Sequence, residues 1–164
     1  MKIKNIAAVA AIAAAMLSVG ACRSNQKVAD SYSNYHFATT IVNTSPSGML
    51  TVKAWGSGPN RAAAIEEAKR QALNDLIFKG IKGAKGYSGK ALITEVNARE
   101  RYAEYFDRFF ARGGEYSKFV KEASSTDKSR IESKSNGRTN YGVTLDIDRS
   151  ALLAQLRADG LTAQ

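Results

Sequence analysis

The sequence predicts a single α+β domain, a small antiparallel sheet packed by helices, in the order β-α-α-β-β-α. Three observations carry that expectation. Met49–Trp55 alternates apolar and polar residues and runs into a long helical repeat of alanines. Asn136-Gly137, a strong two-residue hairpin signal, precedes a second alternating stretch, Arg138–Ile147. The chain then ends on a short leucine-bearing helical pattern. A strand with one apolar face and a helix with one apolar stripe must each bury that surface against the other, which gives a layered α+β fold.

The first residues are of a different kind. Lys2 and Lys4 open the chain, Ile6–Val19 is apolar and rich in alanine, and small residues lead to Cys22. The apolar run is too short for a comfortable transmembrane helix, which needs about 20 such residues. Its pattern is that of a secretory signal. Leu17-Ser18-Val19-Gly20-Ala21-Cys22 resembles a bacterial lipobox, and Cys22 is the only cysteine of the chain. The resemblance implies cleavage before Cys22, with a diacylglycerol thioether and an amide-linked chain on that residue. One acyl chain binds a membrane only marginally, whereas two or more hold it stably. Arg23 and Ser24 follow in place of an aspartate. By analogy with lipoprotein sorting this implies the outer membrane, and the lack of an acidic surface-export tag implies its periplasmic face. Cys22, once lipidated, leaves no thiol for a disulfide or a nucleophile.

Removing residues 1–21 leaves 143 of the 164 residues, enough for one domain with a real core. The leader holds two lysines and no acid, so the formal charge falls from +9 to +7. No block of five or six like charges is present, which argues against nucleic acid as a partner. Residues 22–33 are polar with little to bury and read as a lipidated tether, and residues 34–164 as the domain.

Within the domain, Tyr32–Val42 has the composition of a strand or docking segment. Thr44–Gly48 is a turn by composition. In Met49–Trp55, Leu50, Val52 and Ala54 share one face. Gly56-Ser57-Gly58-Pro59 is expected as a tight turn requiring positive φ. Asn60 then caps a helix over Arg61–Phe78, closed by Gly80. Ile65, Ala68, Ala72 and Leu76, with Ala64, Leu73 and Ile77, form its apolar stripe, and alanines so placed imply close approach to a neighbour. Glu66 with Arg70, and Asp75 with Lys79, are spaced as i, i+4 ion pairs. The two glycines after a strand fall short of a dinucleotide fingerprint, because Arg61 occupies the third glycine position.

Val52-x-Ala54-x-Gly56-x-Gly58 followed by Ala62–Leu73 resembles a pattern in small envelope lipoproteins typified by a twenty-kilodalton Helicobacter antigen. It is also similar to the N-terminal module of a flagellar T-ring protein. The resemblance spans about residues 49–81 and implies one helix laid across a small antiparallel sheet, in an assembly part rather than an enzyme.

Lys82–Lys90 is a basic, glycine-rich loop carrying Lys82, Lys85 and Lys90. Residues 97–111 are expected as a helix with Tyr102, Tyr105, Phe106, Phe109 and Phe110 on one broad side, closed by Gly113-Gly114. Such a cluster is either core or an interface, and with the three lysines it is the candidate binding surface. Glu115 to about Ser133 is expected to be extended and mostly solvated. On the return strand Tyr141, Val143, Leu145 and Ile147 share a face. Asp148 or Ser150 caps the last helix, Leu152, Leu153 and Leu156 point inward, and Gly160 stops it.

Catalytic equipment is sparse. His36 is the only histidine, and a lone histidine is no zinc site. Glu66-Glu67 are sequential and do not share a helix face. Asp146-x-Asp148 lacks the rest of a calcium loop. The expectation is therefore a non-enzymatic lipoprotein with no cofactor beyond the covalent lipid on Cys22. Its partners are the membrane and other envelope proteins, with self-association open. A type VI secretion subunit and a flagellar or surface-organelle lipoprotein are the concrete forms. The alternative is a lipoprotein that holds peptidoglycan, lipid or an anionic polymer.

Overall fold

The computed structural model of the chain describes residues 38–83, 89–123, 132–135 and 137–161, and Phe37–Gln164 form one compact unit. Cys22, the tether and His36 lie outside the described residues, as do Lys85 and Asn136. The fold is the expected α+β class. Strands β1 (Thr40–Thr44), β2 (Met49–Gly58) and β5 (Arg138–Asp148) form three ranks of an antiparallel sheet. The fourth rank is shared by β3 (Val120–Glu122) and β4 (Glu132–Ser135), which both pair with the outer side of β5.

β2 and β5 are the spine, in register from Met49 opposite Asp148 to Gly58 opposite Thr139. Alternation places Leu50, Val52 and Ala54 of β2 and Tyr141, Val143, Leu145 and Ile147 of β5 in the core, all at most 4% exposed. The other face is polar around one aromatic. Thr51 Oγ1 donates to Asp146 Oδ1 at 2.7 Å, and the ring of Trp55 lies against Gly142, directly opposite it in register. A Cβ on Gly142 would come within 2.8 Å of that ring, so the glycine is there to seat the indole.

Helix α1 (Arg61–Asn74) crosses the core face. Asn60 caps it, its Oδ1 accepting the Ala63 N–H at 2.9 Å. Ala64, Ala68 and Ala72 are fully buried along the contact. The expected tight turn at Gly56–Gly58 is not found: both glycines continue β2, and neither has positive φ. Their reason is proximity. A Cβ on Gly56 would fall 2.0 Å from the Ala64 carbonyl oxygen and 2.4 Å from the Ala68 nitrogen, and one on Gly58 2.7 Å from the Ala64 nitrogen. Strand and helix backbones therefore touch with almost nothing between them.

The helix does not run unbroken to Phe78. From Asp75 to Lys79 it widens into a π turn, with the Gly80 N–H donating to the Asp75 carbonyl at 2.7 Å. Chain returning from the basic loop uses the freed carbonyls: Leu92 N–H donates to Leu76 O at 3.1 Å and Ile93 N–H to Ile77 O at 2.9 Å. Asp75 pairs with Lys79 as expected, at 2.9 Å. Glu66 instead takes Lys69 at 2.7 Å, and Arg70 takes Glu67 at 3.0 Å, so the expected Glu66–Arg70 pair gives way to two i, i+3 pairs.

Three further expectations are corrected. Of the Tyr32–Val42 segment, residues 32–37 lie outside the described residues, and the strand seen among the rest runs from Thr40 past Val42 to Thr44. Residues 97–111 form two short helices, α2 (Ala98–Arg101) and α3 (Ala103–Phe109), because Tyr102 leaves helical geometry at φ −110° and ψ 29°. Glu115–Lys118 is a 3₁₀ turn rather than the start of a strand, since Tyr116 must turn inward to be buried. The hairpin is present as Ser135 opposite Arg138, with Gly137 at φ +72°. Helix α4 (Arg149–Ala158) is capped by Asp148, whose Oδ1 accepts the Ala151 N–H at 2.9 Å, and buries Leu152 and Leu156 completely. Gly160 ends it at φ +80°, letting Leu161 N–H reach Leu156 O at 2.9 Å.

Two glycine substitutions separate crowding from backbone conformation. Gly56→Ala is expected to destabilise by about 3 kcal/mol through overpacking. Gly137→Ala, with open space around its Cβ position, is expected to cost only about 1 kcal/mol for its left-handed φ. Urea unfolding of both variants measures the difference.

Candidate functional site

The aromatic segment is core at its centre and accessible at its rim. Asn97, at φ +61°, turns the chain into α2, and the break at Tyr102 re-aims α3 so that Phe106 and Phe109 point inward. Both are buried, at 3% and 2% exposure. Phe106 packs edge-on against Phe78, with centroids 4.7 Å apart, and Phe109 stacks on Phe119 at 6.1 Å. Tyr102, Tyr105 and Phe110 are only half-buried around them. Of the sequence candidates, two rings are thus committed to the core and three keep an accessible edge.

Lys82 and Lys90 are exposed on either side of residues 84–88, which lie outside the described residues with Lys85. Arginines supply the cations here. Arg99 lies over Phe78 at 5.8 Å and Arg101 over Tyr102 at 5.6 Å, and Arg101 also pairs with Glu95.

Two open clefts flank α3. One, of about 560 Å³, is lined by Tyr105, Arg108, Phe109, Glu115 and Asp159. The other, of about 400 Å³, is lined by Arg99, Glu100, Ala103, Phe106, Asp107 and Phe110. In the larger cleft, Tyr105 and Phe109 lie nearly parallel, 17° apart with centroids at 5.9 Å. The Tyr105 hydroxyl donates to Asp159 Oδ2 at 2.7 Å, and Gln155 Nε2 donates to both Asp159 oxygens at 2.9 and 3.0 Å. Burial, reinforced by that carboxylate, raises the Tyr105 pKa well above the ordinary phenol value. The hydroxyl is a fixed donor at neutral pH, and the cleft offers an aromatic wall with a held carboxylate at its edge.

No protein-family model matches this chain, and no match is found among curated proteins or solved structures. Among the described residues, no group of three or more His, Cys, Asp or Glu is placed to hold a metal ion.

Behind the clefts a second polar unit ties the aromatic layer to α1. The Tyr116 hydroxyl donates to Glu66 Oε2 at 2.7 Å, while Lys69 Nζ reaches Glu66 Oε1 at 2.7 Å. Burial opposes ionisation of Glu66, but the bonds from Lys69 and Tyr116 outweigh it and hold the carboxyl below its ordinary value. Burial first, and then Glu66, push Tyr116 up to about 12. Phe78, Phe119, Glu115, Tyr116 and Asp159 were not singled out in the sequence for this site. Tyr116 lies 50 residues from Glu66, and Asp159 lies 54 from Tyr105, so no local spacing signals either bond.

The Glu66–Tyr116 bond gives a two-sided pH dependence. Folding lowers the Glu66 pKa, so its contribution is complete above the unfolded value of 4.5 and disappears as pH falls through the folded value. Folding raises the Tyr116 pKa, so that contribution is complete below 10.0 and is lost as pH rises through about 12. Tyr116→Phe is therefore expected to destabilise by about 1 kcal/mol at neutral pH, a charged hydrogen bond discounted because Glu66 is half-exposed. The difference shrinks toward acid and alkali. Urea unfolding at a series of pH values reads it, and alkaline absorbance titration shows one late-ionising phenol lost.

Proposed function

We propose that this chain is an outer-membrane-anchored periplasmic lipoprotein acting as a non-enzymatic scaffold or assembly subunit of a cell-envelope machine. Type VI secretion and flagellar or surface-organelle complexes are its concrete versions. One observation carries the reading: Cys22, the only cysteine, stands at the end of Leu17–Cys22 behind a lysine-led apolar leader. The small α+β domain and the half-exposed aromatic rim around α3 support it. Aromatic side chains with one wet edge, flanked by arginines, are the residues from which protein interfaces draw most of their binding energy.

The larger cleft favours a second reading, a lipoprotein that binds a ligand. Its volume of about 560 Å³ falls within the range of small-molecule sites, and its aromatic wall and fixed carboxylate suit a ligand with a flat apolar face and a donor group.

Cys22→Ser is expected to abolish incorporation of labelled fatty acid and to release the protein from the membrane fraction. Retention of both label and membrane association would end the lipoprotein reading. Photo-crosslinking in cells with probes at Tyr102, Tyr105 and Phe110, compared with Lys82 and Lys90, is expected to give a discrete protein adduct at the aromatic rim. Adducts to cell wall or lipid alone would move the weight to ligand binding.

A further inference from the structure

We propose that β1 is a detachable strap, able to leave the sheet while the rest of the domain stays folded and so to lengthen the connection to whatever precedes it. The strand is an edge of five residues, and it is bulged. Ile41 pairs with Val52 and Asn43 with Thr51, which leaves Val42 out of register and 54% exposed. From Thr39 to Thr44 only Thr39 and Ile41 are buried. β2 does not need β1 to stay in place, because β5 pairs with all ten of its residues on the other side. Few buried groups on a short bulged edge are what a segment of low local stability looks like.

Beyond its four paired positions on β2, the described residues hold the strap at Thr39 and Ile41. Thr39 Oγ1 donates to Asp75 Oδ2 at 2.7 Å, and Asp75 is itself fixed by Gln71 at 2.8 Å and Lys79 at 2.9 Å. Ile41 lies under the backbone of Gly83, where a Cβ would come within 2.7 Å of the isoleucine Cβ. At the far end the pivot is secured separately. The Gly48 carbonyl accepts the Arg149 N–H at 3.2 Å, and the Ser47 carbonyl accepts from Ser150 Oγ at 3.3 Å. Release at Thr39 and Ile41, together with opening of the four pairs to β2, frees residues up to Thr44 and stops at the turn. Six residues at 3.3–3.6 Å each add about 20 Å of reach. The proposal rests on the anchored reading for its purpose only, since a domain on a lipid tether gains working distance from it.

Hydrogen–deuterium exchange of the full-length protein in detergent, followed by peptide, tests the strap. Peptides within residues 39–44 are expected to exchange at least about ten-fold faster than those within 141–148. Thr39→Val, which deletes the bond to Asp75, is expected to speed exchange at β1 by about five-fold and to leave β5 unchanged. Gly83→Ala, which crowds Ile41 without altering β1, should act in the same direction. If residues 39–44 and 141–148 exchange together, or if Thr39→Val accelerates both alike, the strap does not exist. Exchange is read whether or not Cys22 carries lipid, so failure of the strap and failure of the anchor are separate results.

Discussion

The contact between the backbone of β2 and that of α1 fixes the layout of the whole domain. Gly56 and Gly58 on the strand face Ala64 and Ala68 on the helix, so closely that even a methyl group on either glycine would strike the helix backbone. That closeness sets the height of the helix above the sheet. It also decides where larger side chains are needed: Leu73, Leu76 and Ile77 fill the space toward the far end of the helix, all fully buried. The aromatic layer then closes the core beyond it. A domain of this size has little interior to spare, and replacing a bulky seam by a flush one lets the remaining apolar groups reach one another.

The π turn at Asp75–Lys79 is the second organising feature. It lengthens the helix by a wide turn, frees two carbonyls for Leu92 and Ile93, and brings Asp75 to Thr39. Asn74, just before it, accepts from Arg99 Nη1 at 2.6 Å. Incoming chain, helix end, returning loop and aromatic helices therefore meet at one place. π turns interrupt the regular ladder and persist where the surroundings use the groups they release.

Much of the fold was legible because it rests on periodicity. The alternating faces of β2 and β5, the stripe of α1, the caps at Asn60 and Asp148 and the stop at Gly160 all depend on residues within a few positions of one another. What was misread depends on distance in space. Gly56 and Gly58 looked like a turn because nothing local reveals that a helix backbone will lie on them. The break at Tyr102 answers to packing of Phe106 and Phe109, not to a helix-breaking residue. Glu115–Lys118 turns because Tyr116 has a partner at Glu66. The site was partly legible: five aromatic residues were recognised as a group, but their division into buried centre and wet rim depends on Phe78 and Phe119, contributed by other elements.

The position of β5 has a consequence for when the domain can form. It is the strand to which β2, β3 and β4 all attach, yet it follows all three in the chain, and Leu50 meets Ile147 only after nearly a hundred residues of intervening chain. The alanine helix has half a platform until then. Contacts so far apart in sequence assemble late and slowly.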